Sequence, residues 1–174
     1  MFADPETGFT IASSANDVLL RNIVVFIFMG LLASAAIVDL RRFIIPDVIV
    51  VALLALWPVW VALNGFEPIG YTLLGAAGMF ALGLILFAFG LMGGGDVKLM
   101  TVLALWAEPS GLLTLLFYTS LAGGFLSIFW LLPLRRLVAP MIGWAEGQRN
   151  NKQIPYGVAI AAGGLAISSS LWVS

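Results

Sequence analysis

Cysteine and histidine are both absent from the 174 residues, and charged side chains make up only 10% of them. Without cysteine there is no disulfide, no thiolate nucleophile and no thiolate metal site. Without histidine the chain lacks the commonest zinc ligand and the commonest general base. No metal and no cofactor is therefore expected. Any acid–base chemistry must come from Asp, Glu, Lys or Tyr. A net charge of −1 gives nothing with which to neutralise a phosphate backbone, so nucleic acid is not an expected partner. Soluble domains carry about a quarter charged residues, which excludes an ordinary water-soluble globule.

What is present is apolar: 61% of the residues are hydrophobic and the mean hydropathy is +1.08. These residues arrive in long blocks rather than as a stripe of helical period, which points to the lipid bilayer as solvent. Five blocks cover residues 18–38, 46–63, 69–92, 111–132 and 155 to the C-terminus, each near the ~20 residues that cross a hydrocarbon core. Between Asp96 and Ala107 lies a shorter piece of roughly 18 Å as a helix. Glu108-Pro109-Ser110-Gly111 reads as the break that ends it.

Charge parity decides whether the short piece crosses. With six crossings, Arg41, Arg42, Lys98, Arg135, Arg136, Arg149 and Lys152 fall on one side, leaving Arg21 alone on the other with Asp4, Glu6, Asp17, Glu67 and Glu108. The positive-inside rule then places the three basic loops in the cytoplasm and both termini outside. The expected fold is all-α: a multi-pass protein of the cytoplasmic (inner) membrane, with six transmembrane helices forming one domain over 1–174. Residues 1–17 are expected to form a polar tail without a signal-peptide pattern, and 133–153 a cytoplasmic loop in which Trp144 can anchor at the interface.

Two acids stand at the basic face. Asp39 closes the first block before Leu40-Arg41-Arg42, and Asp96 follows Gly93-Gly94-Gly95 and opens the fourth. An even number of crossings separates them, so both return to the same face although they are 57 positions apart. Paired carboxylates form a hydrolytic device without metal or imidazole. Two like charges a few ångströms apart do not both ionise readily, so the pair shares a proton. One member takes a proton from water while the other donates to the carbonyl oxygen or leaving amine. The pair titrates as a unit. The neighbouring glycines permit positive φ and close approach of a second backbone.

Plainer readings stand beside these. Asp39 can pair with Arg41 or Arg42 at the lipid boundary. Asp96 can serve only as an N-cap. Lys98 suits an interfacial anchor better than a catalytic amine. Asp47 suits the positive end of a helix dipole, and Glu146 a solvated loop. Gly75, Gly78, Gly83, Gly123 and Gly124 suit close helix packing. Pro46 and Pro155, each preceded by Ile, stand where a helix begins.

The segment Asp39-Leu40-Arg41-Arg42-Phe43-Ile44-Ile45-Pro46 resembles the first signature of the type IV prepilin peptidase family, the GxGD-type membrane aspartic peptidases. Gly93-Gly94-Gly95-Asp96-Val97-Lys98-Leu99 resembles the second, and Ile154-Pro155-Tyr156-Gly157-Val158-Ala159-Ile160 is similar to a late family segment. The resemblance implies an aspartic endopeptidase that removes the leader from prepilin-like or preflagellin-like membrane substrates at the cytoplasmic face. Such a substrate has a basic leader followed by an apolar helix. Asp39 and Asp96 would be the catalytic pair, with Gly93, Gly95, Lys98 and Pro46 in supporting positions. Larger members carry a cysteine-bearing insertion and methylate the new N-terminus. This chain has neither cysteine nor room for the insertion, so it looks more like the compact tight-adherence (Flp) or archaeal preflagellin peptidases, and methyl transfer lacks support. Asp47 stands where the family commonly has Asn. A proton or cation pathway, or an assembly scaffold, is the competing reading of the same acids. Oligomeric state is not legible.

Overall fold

The computed structural model describes residues 5–64, 69–131 and 154–172. All regular structure among them is helical: α1 (Pro5–Arg42), α2 (Asp47–Asn64), α3 (Ile69–Ala88), α4 (Gly94–Trp106), α5 (Glu108–Leu131) and α6 (Tyr156–Leu171). Four of these are long and apolar enough to cross a membrane, over 16–42, 47–64, 69–88 and 110–131. Their outer faces expose large apolar side chains such as Phe26, Leu74 and Phe125. In lipid such exposure carries no penalty, which is why helices this hydrophobic need no polar face.

Element boundaries depart from the sequence reading at several points. The polar N-terminal stretch is helical from Pro5 and continuous with α1, proline being tolerated at a first helical position. Pro46 and Pro155 stand just ahead of α2 and α6 rather than inside their first turns. The third block ends as helix at Ala88, four residues early, and Phe89–Gly93 form the turn that delivers Asp96. The break after α4 is tighter than the four residues Glu108–Gly111. Only Ala107 lies between α4 and α5, and the bend is taken at Glu108 with φ 49°.

Consecutive helices alternate in direction. Lys98 at the start of α4 meets Asp47 at the start of α2. Gly157 at the start of α6 lies against Asp39 at the end of α1, and Gly83 near the end of α3 packs on Val97 of α4. Trp130 at the end of α5 meets Phe43, which follows α1. Three helices therefore end, and three begin, at one end of the bundle. At the other end, the Arg21 guanidinium donates two hydrogen bonds, of 2.7 and 3.1 Å, to the Leu63 carbonyl. A cation there satisfies an orphan acceptor at the negative end of α2.

The shortest of the described helices is α4, 13 residues and about 20 Å. It is buried almost all round, packed among α2, α3, α5 and α6. The other helices shield it, so it need not match the bilayer by itself. Trp106 closes its end: its ring stacks on Phe28 at 4.5 Å and on Trp60 at 6.1 Å, and its indole N–H donates to the Leu53 carbonyl at 3.2 Å. Trp57 donates to the Leu105 carbonyl at 2.9 Å, satisfying another acceptor at the C-terminus of α4. Glycines set the spacing: a Cβ at Gly83 would stand 2.7 Å from Val97 Cγ1, and one at Gly164 2.7 Å from Leu32 Cδ1. Gly163 is in equally close contact with Thr119, whereas Gly78 and Gly124 face open space and are not packing glycines.

Trp106→Ala is expected to destabilise the bundle by about 3 kcal/mol, and Trp106→Phe by about 1 kcal/mol through loss of the hydrogen bond. Equilibrium unfolding in mixed micelles measures both; equal effects would mean that ring packing contributes nothing.

Candidate active site

Asp39 lies in the last turn of α1 and is only 4% exposed. The helix stops just beyond it, where Phe43 adopts φ 57° and its N–H donates to the Asp39 carbonyl at 2.7 Å. A left-handed residue is a usual helix terminator, but normally it is glycine. For phenylalanine the conformation costs roughly 1–2 kcal/mol. The ring is held edge-on against Trp130, centroids 6.3 Å apart. Aromatic packing thus fixes the bend that hands the chain to Ile44-Ile45-Pro46 and α2.

The Asp39 carboxyl group turns toward α6. The N–H groups of Gly157 and Val158, in the first turn of that helix, lie close enough to stabilise charge on it. Pro155, which precedes this turn, offers no capping side chain. Asp39 supplies from another helix the acidic group that favours a helix N-terminus. The approach is so close that a Cβ at Gly157 would stand 2.8 Å from Asp39 Oδ2 and 2.9 Å from its Cγ. Oδ2 itself is buried and has no hydrogen-bond partner among the described residues.

Asp96 is the third residue of α4, not its cap; Gly93 occupies the cap position. The Gly93 N–H donates to Asp96 Oδ2 at 3.1 Å, half of a capping box. A Cβ at Gly93 would stand 2.8 Å from the same oxygen. Gly95 faces the turn after α1, where a Cβ would meet Ile45 Cβ at 3.3 Å. The two motif segments are thus packed backbone to side chain.

One cavity of about 750 Å³ unites these elements. It is lined by Asp39, Phe43 to Asp47, Gly90 to Asp96, Lys98, Ile154 and Tyr156. The two aspartates are close enough for the charge on Asp96 to act on Asp39. Pro46, Gly93, Gly95 and Lys98 all reach the same cavity. Lys98 is taken up by Asp47 in an exposed ion pair of 2.8 Å, which ties the start of α4 to the start of α2. Phe43, Gly157 and Tyr156 had no assigned role from sequence. The repeated Ile-Pro before α2 and α6 was the signal that both helices start at the site. Arg135, Arg136, Trp144, Glu146, Arg149 and Lys152 lie outside the described residues.

The site is thus a cavity at one end of a helical bundle, with two acids in its lining and glycine-rich and Ile-Pro turns around it. The sequence matches the model of the type IV leader peptidase family over residues 26–128, which includes both aspartates. The chain belongs to that family. It is similar to the prepilin leader peptidase/N-methyltransferase of Xanthomonas campestris pv. campestris, 30% identical over 137 residues, covering 75% of this chain and 44% of the relative. It is also similar to the protein of the same description from Aeromonas hydrophila, 29% identical over 140 residues, covering 76% and 44%. The chain thus spans less than half the length of these relatives. No solved structure matches it significantly.

Gly157→Ala should force α6 away from Asp39 and lower the thermal midpoint in detergent by several degrees, whereas Gly124→Ala should leave it unchanged; equal midpoints would contradict the close approach. The Asp47–Lys98 pair is exposed, so a double-mutant cycle should give a coupling of no more than about 1 kcal/mol. A much larger coupling would show a pair shielded from water.

Proposed function

We propose that this chain is a membrane aspartic endopeptidase that cleaves the leader from prepilin-like or preflagellin-like substrates, with Asp39 and Asp96 as its catalytic pair. The observation that carries the reading is the convergence of both carboxyl groups on one cavity from segments 57 positions apart. Family membership supports the reaction class, and the relatives are described as prepilin leader peptidases.

The chemistry follows from the residues at the cavity. The ionised aspartate takes a proton from a water molecule as its oxygen attacks the scissile carbonyl carbon. The protonated partner donates its proton to the carbonyl oxygen. As the tetrahedral diol collapses, one of its hydroxyls returns a proton to the aspartate that donated to the carbonyl oxygen, the C–N bond breaks, and the amine leaves with the proton that the other aspartate took from water. One water is consumed and the dyad is regenerated. The N-termini of α2, α4 and α6 all point toward this end of the bundle, so their dipoles favour negative charge as it develops there. Gly93 to Gly95 line the cavity beside Asp96.

Placement in the membrane belongs to the same proposal. Six crossings put the cavity at the cytoplasmic face of the inner membrane, with both termini outside, because this topology gathers seven of eight basic residues on one side. A substrate whose basic leader remains in the cytoplasm then presents its cleavage site at the depth of the acids. Methyl transfer is not part of the proposal. An ion pathway through the same acids finds no continuation, since the acidic and basic side chains of the described residues sit toward the two ends of the bundle.

Co-expression with a candidate prepilin, followed by mass measurement of the pilin, tests the reading. Asp39→Asn and Asp96→Asn should each reduce leader removal by about 10²-fold or more while inserting normally. Undiminished processing by either variant would remove that aspartate from the mechanism.

A further inference from the structure

A second cavity, about 370 Å³, opens beside the first. It is lined by Leu86, Leu91 and Met92, by Thr119, Ser120, Gly123, Gly124 and Ser127 of α5, and by Tyr156 and Ile160 of α6. Leu91, Met92 and Tyr156 border both cavities, so the two are adjacent and share a wall. The gap arises because α3 ends at Ala88 and turns aside at Gly90, φ 70°, while α5 runs on to Leu131.

Its direction is fixed by the helices that form it. α5 runs toward the acids, so Ser127 lies nearer their level and Thr119 lies deeper, two turns or about 12 Å along the axis. α6 starts at the acids, and Ile160 lies one turn below Tyr156. The groove thus descends from the carboxylates into the apolar body of the bundle. Among the described residues no acidic or basic side chain lines it.

Its α5 wall is made of small residues four apart, Ser120 with Gly124 and Gly123 with Ser127. In membranes such spacing allows another helix to approach backbone to backbone. Yet among the described residues nothing lies within 4 Å of where a Cβ on Gly124 would stand. The Ser127 hydroxyl donates to the Gly123 carbonyl at 2.7 Å, which folds its polar group onto its own helix. This wall is shaped for a helix that the chain does not itself supply among the described residues.

We infer that this groove seats the apolar membrane helix of the substrate, in the stretch immediately following the scissile bond. The inference rests on the peptidase reading and names the surface that reading leaves unspecified. A peptide bond held between Asp39 and Asp96 must continue on both sides. The neighbouring groove runs from the level of the acids into the apolar body of the bundle, while the leader side stays at the polar mouth by Asp47 and Lys98. The α5 wall then holds the helix in register, so that the extended residues above it reach the acids.

Gly124→Trp tests this, because the added ring enters open space instead of displacing a neighbour. Gly30→Trp, at an equally open position on α1, is the control. With a full-length prepilin, Gly124→Trp should slow leader removal by about tenfold or more, and Gly30→Trp should not. In an Asp96→Asn background, which keeps the substrate intact, a photoreactive amino acid replacing Gly124 should cross-link to the first turns of the pilin's apolar segment, and one replacing Gly30 should not. If wild type processes the pilin but Gly124→Trp is equally active, or both positions cross-link alike, the groove assignment is overturned and the peptidase reading stands. If wild type processes no prepilin, both fall together.

Discussion

A carboxyl group buried at the end of a lipid-embedded helix is expensive unless polar hydrogens meet it. Asp39 is such a group, and the N–H groups of Gly157 and Val158 at the start of α6 are what meet it. The rest of the site is arranged around that contact. It requires α6 to begin where α1 ends, and a residue without Cβ at position 157. It also leaves α6 without need of a capping side chain of its own. Asp96 solves the same problem differently, through the N–H of Gly93 at the start of its own helix. Each acid is thus held by a helix N-terminus, one within its own chain segment and one across the bundle.

The alternation of helix direction turns this local solution into a shared site. With α1, α3 and α5 ending at one level and α2, α4 and α6 beginning there, the turns between them fall together. The Phe43 bend, the 89–93 turn and the Ile154-Pro155 entry all face the same cavity. α4 can be short because its neighbours enclose it, and its shortness keeps its acid level with Asp39 while Trp106 plugs the far end. Among the described residues near the acids, the left-handed Phe43 is the one in a conformation its type disfavours, and Trp130 packs against it there.

Much of this was legible from residue types. The absence of histidine and cysteine together with two acids at the basic face pointed to a carboxylate pair, and the apolar blocks gave the helices because lipid leaves few alternatives. Glycine and proline located the turns, though not their lengths: three glycines mark where α4 starts, while Gly90, the left-handed residue two positions beyond Ala88, reads from sequence as part of the third apolar block. Helix packing was half legible. Gly75 and Gly83 do admit Leu112 and Val97, while Gly78 and Gly124 are the same residue type in open space. The Asp39–Gly157 contact was out of reach, since it depends on which helices are neighbours, a property of packing that spacing along one chain does not encode. The pairing of Asp47 with Lys98 was hidden for the same reason.

The central claim is that Asp39 and Asp96 face each other across one cavity. Because the chain has no cysteine, Asp39→Cys with Asp96→Cys yields a protein with two thiols only, and a short bifunctional thiol reagent applied in native membranes reads their proximity by mass. The account predicts a single reagent bridging both positions in most molecules, with little bridging when Asp17→Cys, toward the other end of α1, replaces Asp39→Cys. Two independent single modifications in the Asp39→Cys/Asp96→Cys protein would place the acids apart and contradict the account.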